Sequence, residues 1–208
     1  MKSFDSTLYF ITDSTGYSEA EFLERSEAAL RGGATLVQIR EKEKSTREYI
    51  ALAQKLHSVC RRYNVPLIID DRIDVAMAVG AEGVHLGQSD MPVDTARKIL
   101  GDNVIIGATA KTVPQALRAY EQGADYLGVG AIYPTTTKVK TVLTSTETLG
   151  DICRAVPIPV NAIGGLNKDN IDILRGIPIS GICVVSAIMK ADNPEDAARN
   201  LLKKFKTL

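Results

Sequence analysis

The stretch TLVQIREKEKSTREYIALAQKLHSVCRRYNVPLIIDD, from Thr35 to Asp71, decides the fold. It opens and closes on short runs of branched apolar residues, TLVQIRE and PLIIDD. Between them REYIALAQKLHSVCRRY spaces its apolar residues three and four apart, as the buried face of a helix does. A helix of ten or more residues between two strands requires a parallel crossover. The same unit recurs in both directions along the chain. LYFIT precedes it, and GVHLG, VIIGATA, YLGVGA, PVNAI and GICVVSA follow it, with helical stretches such as AEFLERSEAALRGG and VPQALRAYEQG in the intervals. Eight strands in 208 residues give roughly 26 residues per unit, with no composition shift or linker to split them, which predicts an α/β fold, a single (β/α)8 TIM barrel spanning residues 1–208 as one catalytic domain. A doubly wound sheet also begins as strand-helix alternation. It fits less well, because no G-x-G-x-x-G follows the first strand and eight units close naturally.

Composition limits the function. Lys plus Arg and Asp plus Glu each number 25, so no net field recruits nucleic acid or an anionic membrane, and charged chemistry has to be local. The three cysteines, Cys60, Cys153 and Cys183, are widely spaced with no CxxC or Cys/His pattern, which predicts reduced thiols rather than a disulfide framework or a zinc site. The start MKSFDSTLYFITD lacks a basic-then-apolar signal pattern, and no apolar run approaches membrane-spanning length. The expectation is a soluble, cytoplasmic protein.

In a barrel, the C-terminal strand ends and the loops after them form the active site. Along VQIREK, Gln38, Arg40 and Lys42 alternate with Val37, Ile39 and Glu41, so in a strand the three long polar side chains share the inner face. A bare charge there is costly, so Arg40 and Lys42 need an anion at the mouth; a strand that stops at Ile39 and leaves them solvated is the competing reading. Asp70 and Asp71 end the third strand and Asp90 follows the fourth. Clustered carboxylates repel unless protonated or bridged by a cation, and a hard ion such as magnesium suits them. Taken singly, Asp71 also reads as a helix cap and Asp90 as the start of a turn. Gly164 and Gly165 end the seventh strand, and Val185 and Ser186 the eighth, where barrels of this kind recurrently bind phosphate. His57, within a helix, and His85, within the fourth strand, read as structural. No Ser/His/Asp spacing or nucleophile elbow is present.

The motifs VQIREK, IIDDRIDVA, GVHLGQSDM, DYLGVGAIYPTTTK, AIGG and VVSAI, in that order at successive strand ends, resemble the thiamine phosphate synthase family over Tyr9 to about Ala191. The resemblance implies an enzyme that joins a pyrimidine diphosphate to a thiazole phosphate, with Mg2+ as cofactor and small molecules as partners. It places Gln38, Ile39, Arg40, Glu41, Lys42, Thr109 and Lys138 on the pyrimidine diphosphate, with Asp70 beside the aminopyrimidine. Thr135, Thr136, Thr137, Gly165, Val185 and Ser186 fall on the thiazole phosphate, and Asp71 and Asp90 on the metal. Arg40, Lys42 and Lys138 would be the catalytic cations. The loop YPTTTKVKT, four threonines and two lysines in nine residues, then reads as a phosphate clamp whose hydroxyls and amides donate hydrogen bonds.

The chain departs from that pattern at Asp70, where the family usually has Asn, and at Thr109, where Ser is common. An ionised Asp70 accepts hydrogen bonds but cannot donate one. Two other functions compete. A thiazole tautomerase-like barrel would need a general acid or base and has no diphosphate to neutralise. A non-catalytic ligand-binding regulator would keep the pocket without turnover.

Overall fold

The computed structural model describes residues 4–134 and 142–208. The strands β1 (Leu8–Ile11), β2 (Leu36–Ile39), β3 (Leu67–Asp70), β4 (Gly83–Leu86), β5 (Ile105–Ala110), β6 (Tyr126–Gly130), β7 (Val160–Ile163) and β8 (Gly181–Val184) follow one another around a closed parallel barrel. β8 closes on β1 with Tyr9 opposite Cys183. The helices are α1 (Glu19–Arg31), α2 (Thr46–Arg62), α3 (Ile73–Val79), α4 (Val93–Leu100), α5 (Val113–Glu121), α6 (Thr146–Ala155), α7 (Ser186–Met189) and α8 (Pro194–Phe205). Ser18 with Glu21 and Ser45 with Glu48 form capping boxes that satisfy the first amides of α1 and α2. Among the described residues, no helix is long and apolar enough to cross a membrane.

The seventh connection departs from the expected helix. It carries only a 3-10 turn, Ile171–Leu174, whose Ile171 and Leu174 are buried against the barrel. Local polar side chains explain the difference. Asn170 Oδ1 accepts from the Asn167 amide at 2.8 Å, and Asn167 Oδ1 accepts from the Asp169 amide at 2.8 Å. Such bonds offer the backbone an alternative to a helical ladder.

Two apolar layers hold the barrel. Outward-facing strand residues such as Val37, Ile39, Leu67 and Ile69 pack under the helices with Phe22, Tyr49 and Leu56. Inside, Tyr9, Ile11, Leu36, Ile68, Ile105, Tyr126 and Cys183 form a smaller core. The parallel register accounts for this division, because directly paired residues face the same side: Tyr9 with Leu36, Gln38 with Ile68, Asp70 with His85, and Thr109 with Gly128. Interior space is tight. A Cβ on Gly107 would collide with the ring of Tyr126, and one on Gly128 would lie 3.2 Å from His85 Cε1. Two large polar rings therefore fit inside the barrel only because the facing strands carry glycine. Gly107→Ala should destabilise the fold by about 1–3 kcal/mol through overpacking, measured by urea denaturation; an unchanged midpoint would mean that the Tyr126 ring has another place to go.

Candidate active site

β2 stops at Ile39, so Arg40, Glu41 and Lys42 lie just beyond the strand. Gln38 points inward and is buried, and its Nε2 donates to the Tyr9 hydroxyl at 2.6 Å. Arg40 and Lys42 are paired with carboxylates. Arg40 Nε lies 3.7 Å from Asp70 Oδ2, and Lys42 Nζ lies 2.9 Å from the same oxygen while also pairing with Asp71. The competing expectation is thus correct about the strand end; Lys42 also remains exposed, but both cations are paired with carboxylates. Ile39 and Glu41 face elsewhere. The Ile39 side chain is in the outer core, and its carbonyl accepts from Tyr49 Oη at 2.8 Å. Glu41 turns towards the β1 end, accepting from Ser14 Oγ at 2.8 Å with Lys44 at 3.6 Å, and burial raises its carboxyl above the ordinary range.

Asp70, Asp71 and Asp90 meet at this rim, as their strand positions predict. Asp71 adopts the left-handed region at φ 60°, which Asp tolerates better than most residues. Its amide donates to the His85 carbonyl at 2.9 Å, locking the β3 end to β4. Asp90 Oδ2 accepts the Gly87 amide at 2.7 Å, and the Asp71 and Asp90 carboxyls share a hydrogen bond. The charges divide unevenly. Burial, and then the neighbouring Asp71 charge, push Asp70 up to about 6 against the pull of Lys42. Burial also presses on Asp71, but its bonds to Lys42 and Asp90 hold it below the ordinary carboxylate range, and Asp90 is raised by burial and by Asp71. Lys42 is partly desolvated, yet the two carboxylates raise its pKa. Among the described residues, no group of three or more His, Cys, Asp or Glu side chains could hold a metal ion by itself.

On the next strand, β5, Thr109 is half-buried, with its Oγ1 3.0 Å from His85 Nε2. Gly164 and Gly165 follow β7 at φ 106° and 64°. The protein's own chain requires both: a Cβ on Gly165 would lie 2.7 Å from Tyr133 Cβ and 2.8 Å from the Pro134 carbonyl, and one on Gly164 would strike Ala131. The Gly165 carbonyl accepts from Asn170 Nδ2 at 2.8 Å. Val185 leads into α7, whose first residue, Ser186, is exposed. Thr135, Thr136, Thr137 and Lys138 lie outside the described residues. The acidic and basic cluster thus forms at β2–β4, and the glycine and serine positions sit at β7–β8 of the same rim.

Two groups escaped the sequence reading. Tyr9 and Tyr126 meet inside the barrel with hydroxyls 2.7 Å apart, and His85 Nδ1 lies 3.1 Å from the Tyr126 hydroxyl. His85, expected to be structural because it sits within a strand, also reaches Thr109. His57 pairs with Glu82 at 2.9 Å on the outer side, as a structural histidine does. The signal was available in the inward glycines Gly107 and Gly128, but only the register turns it into contact.

Ionisable side chains gathered at the strand ends of a closed eight-stranded parallel barrel place this chain in the class of (β/α)8-barrel enzymes. Its relatives narrow the class. Residues 8–188 match the family model described as thiamine monophosphate synthase. The chain is 46% identical over 206 residues to the thiamine-phosphate synthase of Methanobrevibacter smithii, covering 99% of this chain and 98% of that protein. It is 49% identical over 198 residues to thiamine-phosphate synthase 2 of Streptococcus pneumoniae serotype 4, covering 95% and 94%. The thiamine phosphate pyrophosphorylase structure from Pyrococcus furiosus superposes with a TM-score of 0.88 at 40% identity, covering 97% and 96%. The chain belongs to the thiamine monophosphate synthase family and is a transferase with thiamine phosphate synthase function.

The raised Asp70 has a consequence for stability. Its folded pKa lies above the ordinary value of 3.8, so between pH 4 and about 6 the folded state holds more protons than the unfolded chain, and stability falls as pH rises through that window. Asp70→Asn removes this dependence. Relative to the parent, the variant should gain roughly 1–3 kcal/mol between pH 4 and 7, read by denaturation at each pH. Parallel profiles for the two proteins would contradict the assignment.

Proposed function

We propose that the enzyme joins an aminopyrimidine carrying a diphosphooxymethyl group to a thiazole bearing a phosphooxyethyl group, releasing diphosphate and forming thiamine phosphate. The observation that carries this reading is the rim cluster at β2–β4, where Arg40 and Lys42 stand against Asp70, Asp71 and Asp90. The family membership supplies the reaction class.

Asp71 and Asp90 suit magnesium. Two carboxylates already close enough to share a hydrogen bond offer hard oxygens, and magnesium is usually held by one or two carboxylates, with substrate phosphates and water completing its shell. When bound, the ion would neutralise charge on the departing diphosphate. The protein's residues do the rest. Lys42, now shared between Asp70 and Asp71, would turn part of its charge to the diphosphate with Arg40 and Lys138. Gln38, with the segment Ile39 to Lys42, would hold the same ligand, the Ile39 and Glu41 side chains being engaged elsewhere. Thr109 would donate its hydroxyl. Asp70, as an acceptor, matches an amino group on the pyrimidine. Thr135, Thr136, Thr137, Gly165, Val185 and Ser186 would take the thiazole phosphate.

The bond from the methylene carbon to the diphosphate oxygen breaks as the pyrimidine's amino group delocalises the developing positive charge; the thiazole ring nitrogen then bonds to that carbon. That nitrogen has no proton to lose, so no general base is needed, and catalysis reduces to charge neutralisation and positioning.

Incubation with both substrates and magnesium, followed by mass spectrometry, should show thiamine phosphate; its absence would return the tautomerase and regulator readings to the front. Asp71→Ala should lower kcat by roughly two orders of magnitude or more. Lys138→Ala should lower kcat with little change in KM, whereas Lys140→Ala should leave both near parent values. Equal losses from the two lysines would mean that the loop acts as a diffuse basic patch.

A further inference from the structure

Inside the barrel, beneath the rim, one line of hydrogen bonds crosses from β2 to β5. Gln38 Nε2 donates to Tyr9 Oη at 2.6 Å, the Tyr9 and Tyr126 hydroxyls are 2.7 Å apart, Tyr126 Oη lies 3.1 Å from His85 Nδ1, and His85 Nε2 lies 3.0 Å from Thr109 Oγ1. Tyr9 and Tyr126 are completely buried, and Gly107 and Gly128 clear the space that Tyr126 and His85 occupy. Both ends of the line, Gln38 and Thr109, belong to the proposed diphosphate site.

Proton counting gives the line a direction. Tyr9 Oη accepts from Gln38, so its one proton is available for Tyr126. If Tyr126 were the donor instead, the Tyr9 proton would be left without an acceptor inside the barrel, at the cost of a buried unsatisfied group. Tyr126 therefore accepts from Tyr9 and donates its own proton to His85 Nδ1. His85 is then the tautomer with hydrogen on Nε2, which donates to Thr109 Oγ1. With its oxygen engaged as an acceptor, the Thr109 hydroxyl has its proton free to turn into the mouth.

We infer that Tyr9, Tyr126 and His85 are positioning residues that fix Thr109 as a hydrogen-bond donor to the leaving diphosphate. A hydroxyl free to rotate would spend part of its time presenting a lone pair to that anion; the line prevents this and brings the donor pre-oriented to the developing charge.

The kinetic part of the test rests on the thiamine phosphate synthase reading, and the spectroscopic part does not. Tyr126→Phe removes one hydroxyl and keeps the ring. It should lower kcat roughly tenfold in the parent and have no further effect on kcat in a Thr109→Ala background, while any loss of thermal midpoint is the same in both. An equal kcat loss in both backgrounds, or no loss in the parent, would overturn the inference. If Tyr126→Phe does not fold, the His85 tautomer in the parent protein decides the line by itself. The chain has two histidines, so 15N NMR of His57→Gln reports His85 alone. Protonation on Nε2, shifting towards Nδ1 in Tyr126→Phe, supports the direction; protonation on Nδ1 in the otherwise unaltered protein contradicts it. A parent enzyme that makes no thiamine phosphate would count against the proposed reaction, and the tautomer would still decide the line.

Discussion

A carboxylate at the inner end of a barrel strand has to be partnered, and Asp70 is the group around which this rim is arranged. Its side chain is only 10% exposed, and both Lys42 and Arg40 are drawn to it. Without Asp70, two cations just past β2 would be free to point into solvent. With it, both are held at the β2–β3 end of the rim. Asp71 extends the arrangement, because its left-handed backbone and its amide bond to the His85 carbonyl fix the turn after β3 beside β4. That turn brings Asp71 to Asp90. The positive and negative halves of the site thus follow from one register, β2 against β3 against β4.

The interior below the rim is also unlike a uniformly apolar barrel core. Leu36, Ile68 and Ile105 fill part of it. The rest is a polar layer of Gln38, Tyr9, Tyr126 and His85, joined to one another by hydrogen bonds. Such a layer is costly if any member loses its partner, and rigid if all are paired. Tyr126 also makes edge contacts with Phe4 and Tyr9, at centroid distances of 5.7 Å for each. Rigidity there would suit the proposed reaction, which asks for positioning more than for proton transfer.

The sequence revealed the barrel because most units repeat one pattern: a short, mainly apolar strand of four to six residues, then a helical spacing. It revealed Arg40, Lys42, Asp70, Asp71 and Asp90 because charged residues directly after apolar strands have few places to go in this fold. It left open whether β2 ends at Ile39, since the alternation of VQIREK continues past the strand end. It missed the 3-10 turn after β7, where asparagine side chains compete with the helix. The Gln38 to Thr109 line was out of reach for another reason: its members lie on five strands, and two tyrosines, a histidine and two glycines become one layer only when the register is known. Gly165 was read as a place for an anion to approach the backbone, whereas Tyr133 and Pro134 already account for the missing side chain.

The central claim is that the β2–β4 rim binds diphosphate and magnesium together, and their thermodynamic linkage tests it most directly. Calorimetric titration with inorganic diphosphate at several fixed magnesium concentrations, corrected for complex formation in solution, measures it. The account predicts that magnesium tightens diphosphate binding by the same factor as diphosphate tightens magnesium binding, and that Asp71→Ala removes the coupling. Diphosphate binding of equal strength with magnesium and with chelator would contradict it.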